Sequence, residues 1–369
     1  MKWMLLVTVT VGVTVALDLL GIPSAALFAA LLVGAVLAVT NLAPPGVPRP
    51  AGLAAQGVLG VYIGTMVHGD ALGALGPRWP VVLGVGVATL LLSIAAGALL
   101  GLYRDVNALT GALALVAGGA SGLVAIAREL GGDDRVVAVV QYLRVAVVTA
   151  TMPLVVTLVF HAERSGTAEA LERVTAPWYL SLAMLVALVV AGSVAGRFAR
   201  LPGAGLLGPM ALTIALEQSV TSFGLEVAGP LVVLSYLLIG WQAGVAFTRE
   251  SLRAIERLLP AALALIVLLS LAAAGLGVVL AKLTGVSMLD GYLATSPGGI
   301  YAVLATAVGT GSNVTFIVAV QVLRVLLMLF AAPMLARGFA RLTQSRASTA
   351  PSSDPIAVAD ARPAASTSA

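Results

Sequence analysis

Long hydrophobic runs dominate this chain and are separated by short polar stretches. Residues 81–102, for example, contain 22 positions without a charged side chain. Such runs, without period-two alternation, are typical of membrane-spanning helices, because backbone groups in lipid must be satisfied within the segment. We therefore predict an all-α, polytopic integral membrane protein with 10–12 transmembrane segments. The candidate segments are 3–20, 24–40, 51–67, 80–102, 109–127, 136–160, 177–195, 203–217, 228–247, 260–281, 289–308 and 314–336.

The hydrophobic pattern occurs twice. Residues 80–153 align with residues 260–333 at an offset of 180 without a gap, and 22 of the 74 aligned positions are identical. Two copies of one membrane unit predict two tandem structural repeats with a shared site at the repeat interface. An odd number of crossings per copy would make the repeats inverted and an even number would make them parallel, a choice that the sequence leaves open. The predicted divisions are repeat 1 at 1–160, a polar connection at 161–176, repeat 2 at 177–342 and a disordered tail at 343–369.

Composition excludes several classes of function. Only 10% of the residues are charged, against about 25% in soluble domains. The 20 Lys and Arg residues are spread over many loops, so direct nucleic-acid binding is not expected. The chain has no cysteine, and its two histidines, His68 and His161, have no metal-ligand spacing. We expect neither a metal nor another cofactor, and no enzymatic activity.

Glycine pairs interrupt two corresponding segments. Such breaks free backbone groups that must face protein or water, and they can coordinate a substrate together with nearby hydroxyls. The alternative is a kink or a tight packing seam. The breaks are unequal, because Ala117 stands opposite Pro297. The candidate substrate-binding residues at the breaks are Gly118, Gly119, Ser121, Ser296, Pro297, Gly298, Gly299 and Tyr301.

A Gln–Arg pair recurs inside one apolar segment of each copy, as Gln141 with Arg144 and as Gln321 with Arg324. The spacing of three residues places both side chains on one helix face. An arginine at the membrane centre costs about 2.5–3.5 kcal/mol, so it must face a partner or a cavity. One interpretation is a pair of cationic anchors for a carboxylate or another anion. The other is that each arginine ties the freed carbonyls of the neighbouring glycine break or snorkels.

Acidic residues near the breaks allow two roles. Asp133, Asp134 and Asn313 are predicted to cap the helices that follow them. Asp290 lies near the start of a broken segment and is a candidate for coupling a proton or a sodium ion. It could instead lie at the membrane interface.

The paired motifs resemble the membrane AbrB-duplication family over about residues 5–340. They comprise a glycine-glycine break, Gly-x-Asp/Asn, Gln-x-Leu-Arg and a proline, each present twice, together with Leu207-Gly208-Pro209-Met210. The resemblance implies a membrane protein. Members of the family carry conflicting labels, as regulators of gene expression or as ammonia monooxygenases. The second label would need copper or iron ligands, and this chain offers no such set.

These observations favour a secondary transporter or permease for a small solute, with an organic anion as the favoured class. The alternative is a membrane-embedded regulator of gene expression that acts indirectly through partners. The expected partners are the lipid bilayer and a small-molecule solute, and homo-oligomerisation stays open. We expect a multi-pass protein of the plasma (inner) membrane, and Arg337, Arg341 and Arg346 favour a cytoplasmic C-terminal tail.

Overall fold

The computed structural model describes residues 1–67, 76–103, 106–116, 120–129, 131–162, 177–199, 201, 203–219, 224–328 and 331. The polar connection and the C-terminal tail predicted from the sequence lie largely or wholly outside these residues, so those divisions stay predictions. The described part is helical. Its helices are α1 (Lys2–Leu19), α2 (Ala25–Val39), α3 (Arg49–Met66), α4 (Trp79–Leu100), α5 (Ala108–Leu115), α6 (Ala120–Glu129), α7 (Asp134–Leu158), α8 (Trp178–Phe198), α9 (Ala204–Ser219), α10 (Gly229–Gly244), α11 (Arg249–Ala254), α12 (Leu259–Thr284), α13 (Met288–Thr295), α14 (Ile300–Gly309) and α15 (Val314–Met328).

The described helices carry the surface expected of a membrane protein. Five of them, α1, α4, α7, α8 and α12, are long and apolar enough to cross a bilayer, and shorter apolar helices accompany them. Their outer faces expose large hydrophobic side chains in rows, which a soluble protein would bury. On α8 such a row comprises Leu182, Val186, Val190 and Val194. The chain is therefore a polytopic helical membrane protein.

The second copy repeats the helix boundaries of the first at the same offset. α5 and α13 correspond residue for residue, as do α6 and α14, and α15 begins 180 residues after α7. The packing repeats as well. A Cβ atom at Gly97 of α4 would lie 2.5 Å from the carbonyl oxygen of Gly111, and one at Gly277 of α12 would lie 2.7 Å from that of Gly291. Only glycine permits this approach, which seats α5 on α4 and α13 on α12.

The segment 109–127 is a re-entrant hairpin rather than a crossing. The loop before α7 returns to the start of α5, where the backbone N–H of Asp133 donates to Thr110 Oγ1 at 2.9 Å. Asn107 Nδ2 also donates to the carbonyl oxygen of Gly131 at 3.4 Å. Both ends of this hairpin therefore lie on the same side. We call α5 and α6 hairpin 1.

The segment 289–308 forms the equivalent hairpin 2 from α13 and α14. Here the N–H of Asn313 donates to Asp290 Oδ1 at 2.8 Å, in the place of the Asp133–Thr110 bond. Ser287 and Asp290 form a capping box that starts α13. The predicted caps at Asp133 and Asn313 are confirmed by bonds to Arg135 and Phe316 N–H groups. The predicted cap at Asp134 is wrong, because this residue is already helical and its carboxylate pairs with Arg128.

Helix directions show that the two copies are inverted. Gly240 packs on Leu27 and Gly244 on Leu31, so α2 and α10 run parallel. α3 and α9 run parallel too, since Gly60 packs on Leu206 and Gly64 on Thr213. Successive crossings alternate in direction, and α10 is the third crossing counted from α8. It can therefore run parallel to α2, the second crossing of the chain, only if an odd number of crossings precedes α8. The described part thus has, in each copy, five helices that alternate in direction and one hairpin, which makes hairpins 1 and 2 enter from opposite sides.

The described helices form two packed groups. α1–α3 pack with α8–α10 in one group, and α4, α7 and α12 pack with hairpins 1 and 2 in the other. The groups touch through α2 and α10 against α7. They also touch at Ser24, whose Oγ donates to the Ala305 carbonyl of hairpin 2 at 2.7 Å.

Candidate functional site

Gln141 and Arg144 hold the inner end of hairpin 1. Gln141 Nε2 donates to the carbonyl oxygens of Leu113 and Val116, each at 2.8 Å. Arg144 Nη1 donates to the Leu115 carbonyl at 3.0 Å. Both side chains are almost fully buried. Arg144 lies about 15 Å along α7 from the hairpin base, which is near the middle of a hydrocarbon core about 30 Å thick.

Gln321 and Arg324 hold hairpin 2 in the same way. Gln321 Nε2 donates to the Leu293 carbonyl at 2.9 Å, and Arg324 Nη1 donates to the carbonyls of Thr295 and Ser296. These acceptors lie where α13 ends and the proline-glycine break begins. Both copies therefore make the contacts described by the second interpretation of the arginines, because each arginine donates to backbone carbonyls at the end of a broken helix. These contacts leave part of each guanidinium unused.

Unpartnered polar atoms accompany these bonds in both copies. Arg144 Nε and Arg324 Nε are buried without an acceptor among the described residues, and Gln141 Oε1 and Gln321 Oε1 are buried without a donor. Ser296 Oγ, on a residue that is 2% exposed, has no partner either. A buried polar group without a partner costs about 1–3 kcal/mol. Recurrence of the same atoms in both repeats indicates a site built to receive a further group.

The tip of hairpin 2 reaches α7 beside Arg144. A Cβ atom at Gly299 would lie 3.2 Å from Val145 Cγ1, and one at Gly298 would lie 3.0 Å from Val148 Cγ1. The glycine pair thus lets the backbone of one repeat approach a helix of the other. Arg324, which donates to the Ser296 carbonyl two residues before Gly298, is thereby brought towards Arg144 on α7.

The electrostatics of this meeting point are positive. Neither guanidinium has an ion-pair partner among the described residues. Every described Asp and Glu lies in a loop or within three residues of a helix end. The N-terminus of α14 begins at the tip, after Gly299, and a helix N-terminus carries about half a positive charge. The carbonyl ends of α5 and α13 offset part of this charge, and an anion would offset the rest.

The remaining sequence candidates have different positions. Gly118 and Gly119 lie outside the described residues, and Ser121 lies near the start of α6. Pro297 is buried in the break of hairpin 2, and Tyr301 is half-buried in the first turn of α14.

Asp290 lies at the base of hairpin 2, away from its tip. Oδ1 accepts the N–H of Asn313 and Oδ2 accepts that of Ser287 at 3.3 Å. Both oxygens therefore accept hydrogen bonds from backbone N–H groups, at the position where repeat 1 has the hydroxyl of Thr110. Its ion-coupling role stays a prediction.

Two further hydroxyls connect hairpin 2 to its neighbours. Thr295, beside the glycine break, joins hairpin 2 to α12 by donating to the Ala273 carbonyl at 2.9 Å. Ser24, which was missed as a site residue, joins hairpin 2 to the other helix group. Ser24 lies 281 positions from its partner, and no local pattern reveals such a contact.

Comparisons with known proteins agree with the paired motifs. The sequence model described as Transition state regulatory protein AbrB matches residues 40–340. The chain belongs to the AbrB family. It is 32% identical over 340 residues to the Escherichia coli K12 protein named "Putative regulator AbrB", covering 91% of this chain and 96% of that protein. It is also 26% identical over 298 residues to the Bacillus subtilis 168 protein named "Uncharacterized protein YhjN", covering 75% and 76% of the two chains. The resemblance inferred from the motifs is confirmed.

Proposed function

We propose that this AbrB-family protein is a secondary transporter or permease for a small anionic solute. One observation carries the proposal. Two re-entrant hairpins from opposite sides bring breaks in their backbone, and two buried arginines with unpartnered Nε groups, to one place inside the membrane. Inverted repeats with broken helices that meet at the bilayer midplane are a common construction of secondary transporters.

A purely structural role explains less of this arrangement. Tying the hairpin carbonyls uses only Nη1 of each arginine, and a neutral donor such as the neighbouring glutamine performs the same task. Placing a charge there is costly. An anionic substrate would offset that cost, because it would accept from the Nε groups and neutralise the guanidinium charges.

Orientation follows from the positive-inside rule once the crossings are counted. Define side A as the side where α1 begins and hairpin 1 opens, and side B as the opposite side. Two described basic residues at helix ends lie on side B, Arg78 and Lys282, against eight on side A. We therefore propose that side A is cytoplasmic in the plasma (inner) membrane, which places both termini inside. The eight are Lys2, Arg49, Arg128, Arg135, Arg197, Arg249, Arg253 and Arg257.

Reconstitution tests the proposal. Purified protein in liposomes should take up small radiolabelled organic acids in a saturable way, and Arg144→Gln with Arg324→Gln should abolish this uptake. Arg128→Gln, which removes an exposed arginine at the base of hairpin 1, is the matched control. Thermal unfolding would verify that the double variant is folded. Uptake that survives in a folded double variant would refute the arginine site, and absence of uptake of any organic acid would refute the transport proposal.

The second candidate is a regulator that acts through partners, since the Escherichia coli relative is named as one. On that account, changes in the 161–176 connection or the 343–369 tail would alter gene expression, while both Arg→Gln changes would leave it unaffected. If regulation instead results from transport of a signal, both Arg→Gln changes would alter gene expression, and changes in the connection or the tail would leave it unaffected.

A further inference from the structure

The hairpin site offers the same set of polar atoms twice. Each repeat contributes one arginine whose Nη1 is fixed on hairpin carbonyls and whose Nε is unpartnered. Each arginine is at least 95% buried, with Arg144 3% and Arg324 5% exposed. Arg324 bonds the Ser296 carbonyl, and the hairpin tip that follows Ser296 contacts α7 at Val145 and Val148, directly beside Arg144 and one turn beyond it, so both arginines belong to one meeting point. Neither has an ion-pair partner among the described residues.

We propose that the ligand of this site is a small dianion, either a dicarboxylate or a doubly charged tetrahedral anion, with one negative charge for the arginine of each repeat. This inference rests on the proposed function and assigns the substrate class to the same site. A monoanion would leave one guanidinium unneutralised in a medium of low dielectric constant, where the remaining charge is costly. Ser296 Oγ, buried and unpartnered at the tip of hairpin 2, supplies a further donor to the same ligand.

The fixed geometry of the guanidinium groups supports a specific site rather than diffuse attraction. Glutamines three residues earlier on the same helix face hold the same carbonyl clusters, so the hairpin ends are positioned before any ligand arrives. Preorganised donors lose little freedom on binding. A carboxylate that reaches each Nε would form charge-assisted hydrogen bonds there.

Ligand-induced stabilisation of the purified full-length protein in detergent tests this class directly. The probes are oxalate, malonate, succinate, sulfate and hydrogen phosphate, against formate, acetate, propionate, chloride and nitrate at equal ionic strength. At least one dianion should raise the unfolding temperature in a saturable way at a concentration at least tenfold below that needed by any monoanion. A monoanion that matches the best dianion, or no response to any of the ten probes, would overturn the proposal.

Neutralising one arginine sharpens the test. Arg144→Gln or Arg324→Gln should lower the preference for the dianion over a monoanion about tenfold, whereas Arg324→Lys, which keeps the charge, should retain most of it. Arg128→Gln should change nothing. An unaltered preference in both Gln variants would contradict the assignment. Dianion binding without uptake in liposomes would refute transport alone, and uptake without dianion preference would refute this inference alone.

Discussion

Gln141→Met isolates the hydrogen bonds that hold hairpin 1. Methionine has nearly the volume and length of glutamine but donates nothing, so the carbonyls of Leu113 and Val116 lose their side-chain donor. Side-chain hydrogen bonds inside a membrane protein contribute about 0.6 kcal/mol on average and up to about 1.7 kcal/mol. Two lost bonds therefore predict a fall of roughly 1–3 kcal/mol in the free energy of unfolding.

The second repeat provides the comparison. Gln321 makes one such bond, to Leu293, so Gln321→Met should cost about half as much. Both changes also remove a buried, unpartnered Oε1, so this contribution is the same in the two repeats. The difference between the two losses of unfolding free energy therefore measures the extra hydrogen bond of Gln141. Titration of sodium dodecyl sulfate into mixed micelles, followed by circular dichroism, would measure both values, with exposed Gln242→Met as the control. Equal costs in the two repeats, or no cost at Gln141, would refute this account of the hairpin.

The other predictions concern packing and charge in the second repeat. Gly277→Ala should destabilise the protein by about 1–3 kcal/mol, since its Cβ would meet the Gly291 carbonyl. Gly275→Ala on the same helix has open space and should be neutral or stabilising in the same unfolding titration; equal loss in both would contradict the contact. Asp290→Thr introduces the residue that repeat 1 has at the equivalent position, Thr110. If Asp290 serves only as a hydrogen-bond acceptor for the backbone, saturable uptake in liposomes should persist in this variant. Loss of that uptake in the folded variant would instead support ion coupling.

Much of the membrane architecture was predictable because its causes are local or repeated. Apolar runs identify helices, and an ungapped repeat identifies equivalent helices, including the interruption between α5 and α6. The recurrence of Gln141 and Arg144 at 321 and 324 marked the polar centre. Each of these signals is visible in the sequence itself.

What the sequence could not decide depends on contacts between distant segments. That the broken segment 109–127 re-enters rather than crosses is visible in the bond between Asp133 and Thr110, which are 23 positions apart. The distribution of basic residues between the two sides depends on the same choice, because a crossing at 109–127 would reverse the sides of the loops that follow it. Asp290 looked like an intramembrane carboxylate in the sequence, and only the position of the Asn313 N–H reveals what its carboxylate accepts.

Side-specific cysteine labelling tests most directly the claim that hairpins 1 and 2 enter from opposite sides. Because the chain has no native cysteine, only the introduced cysteine can react. Ala108 and Met288 occupy equivalent positions at the bases of hairpins 1 and 2. With a membrane-impermeant maleimide, Met288→Cys should be labelled in intact cells, and Ala108→Cys only after the cells are permeabilised. Labelling of both positions from the same side would contradict inverted repeats, and with them the meeting of the two hairpins inside the membrane.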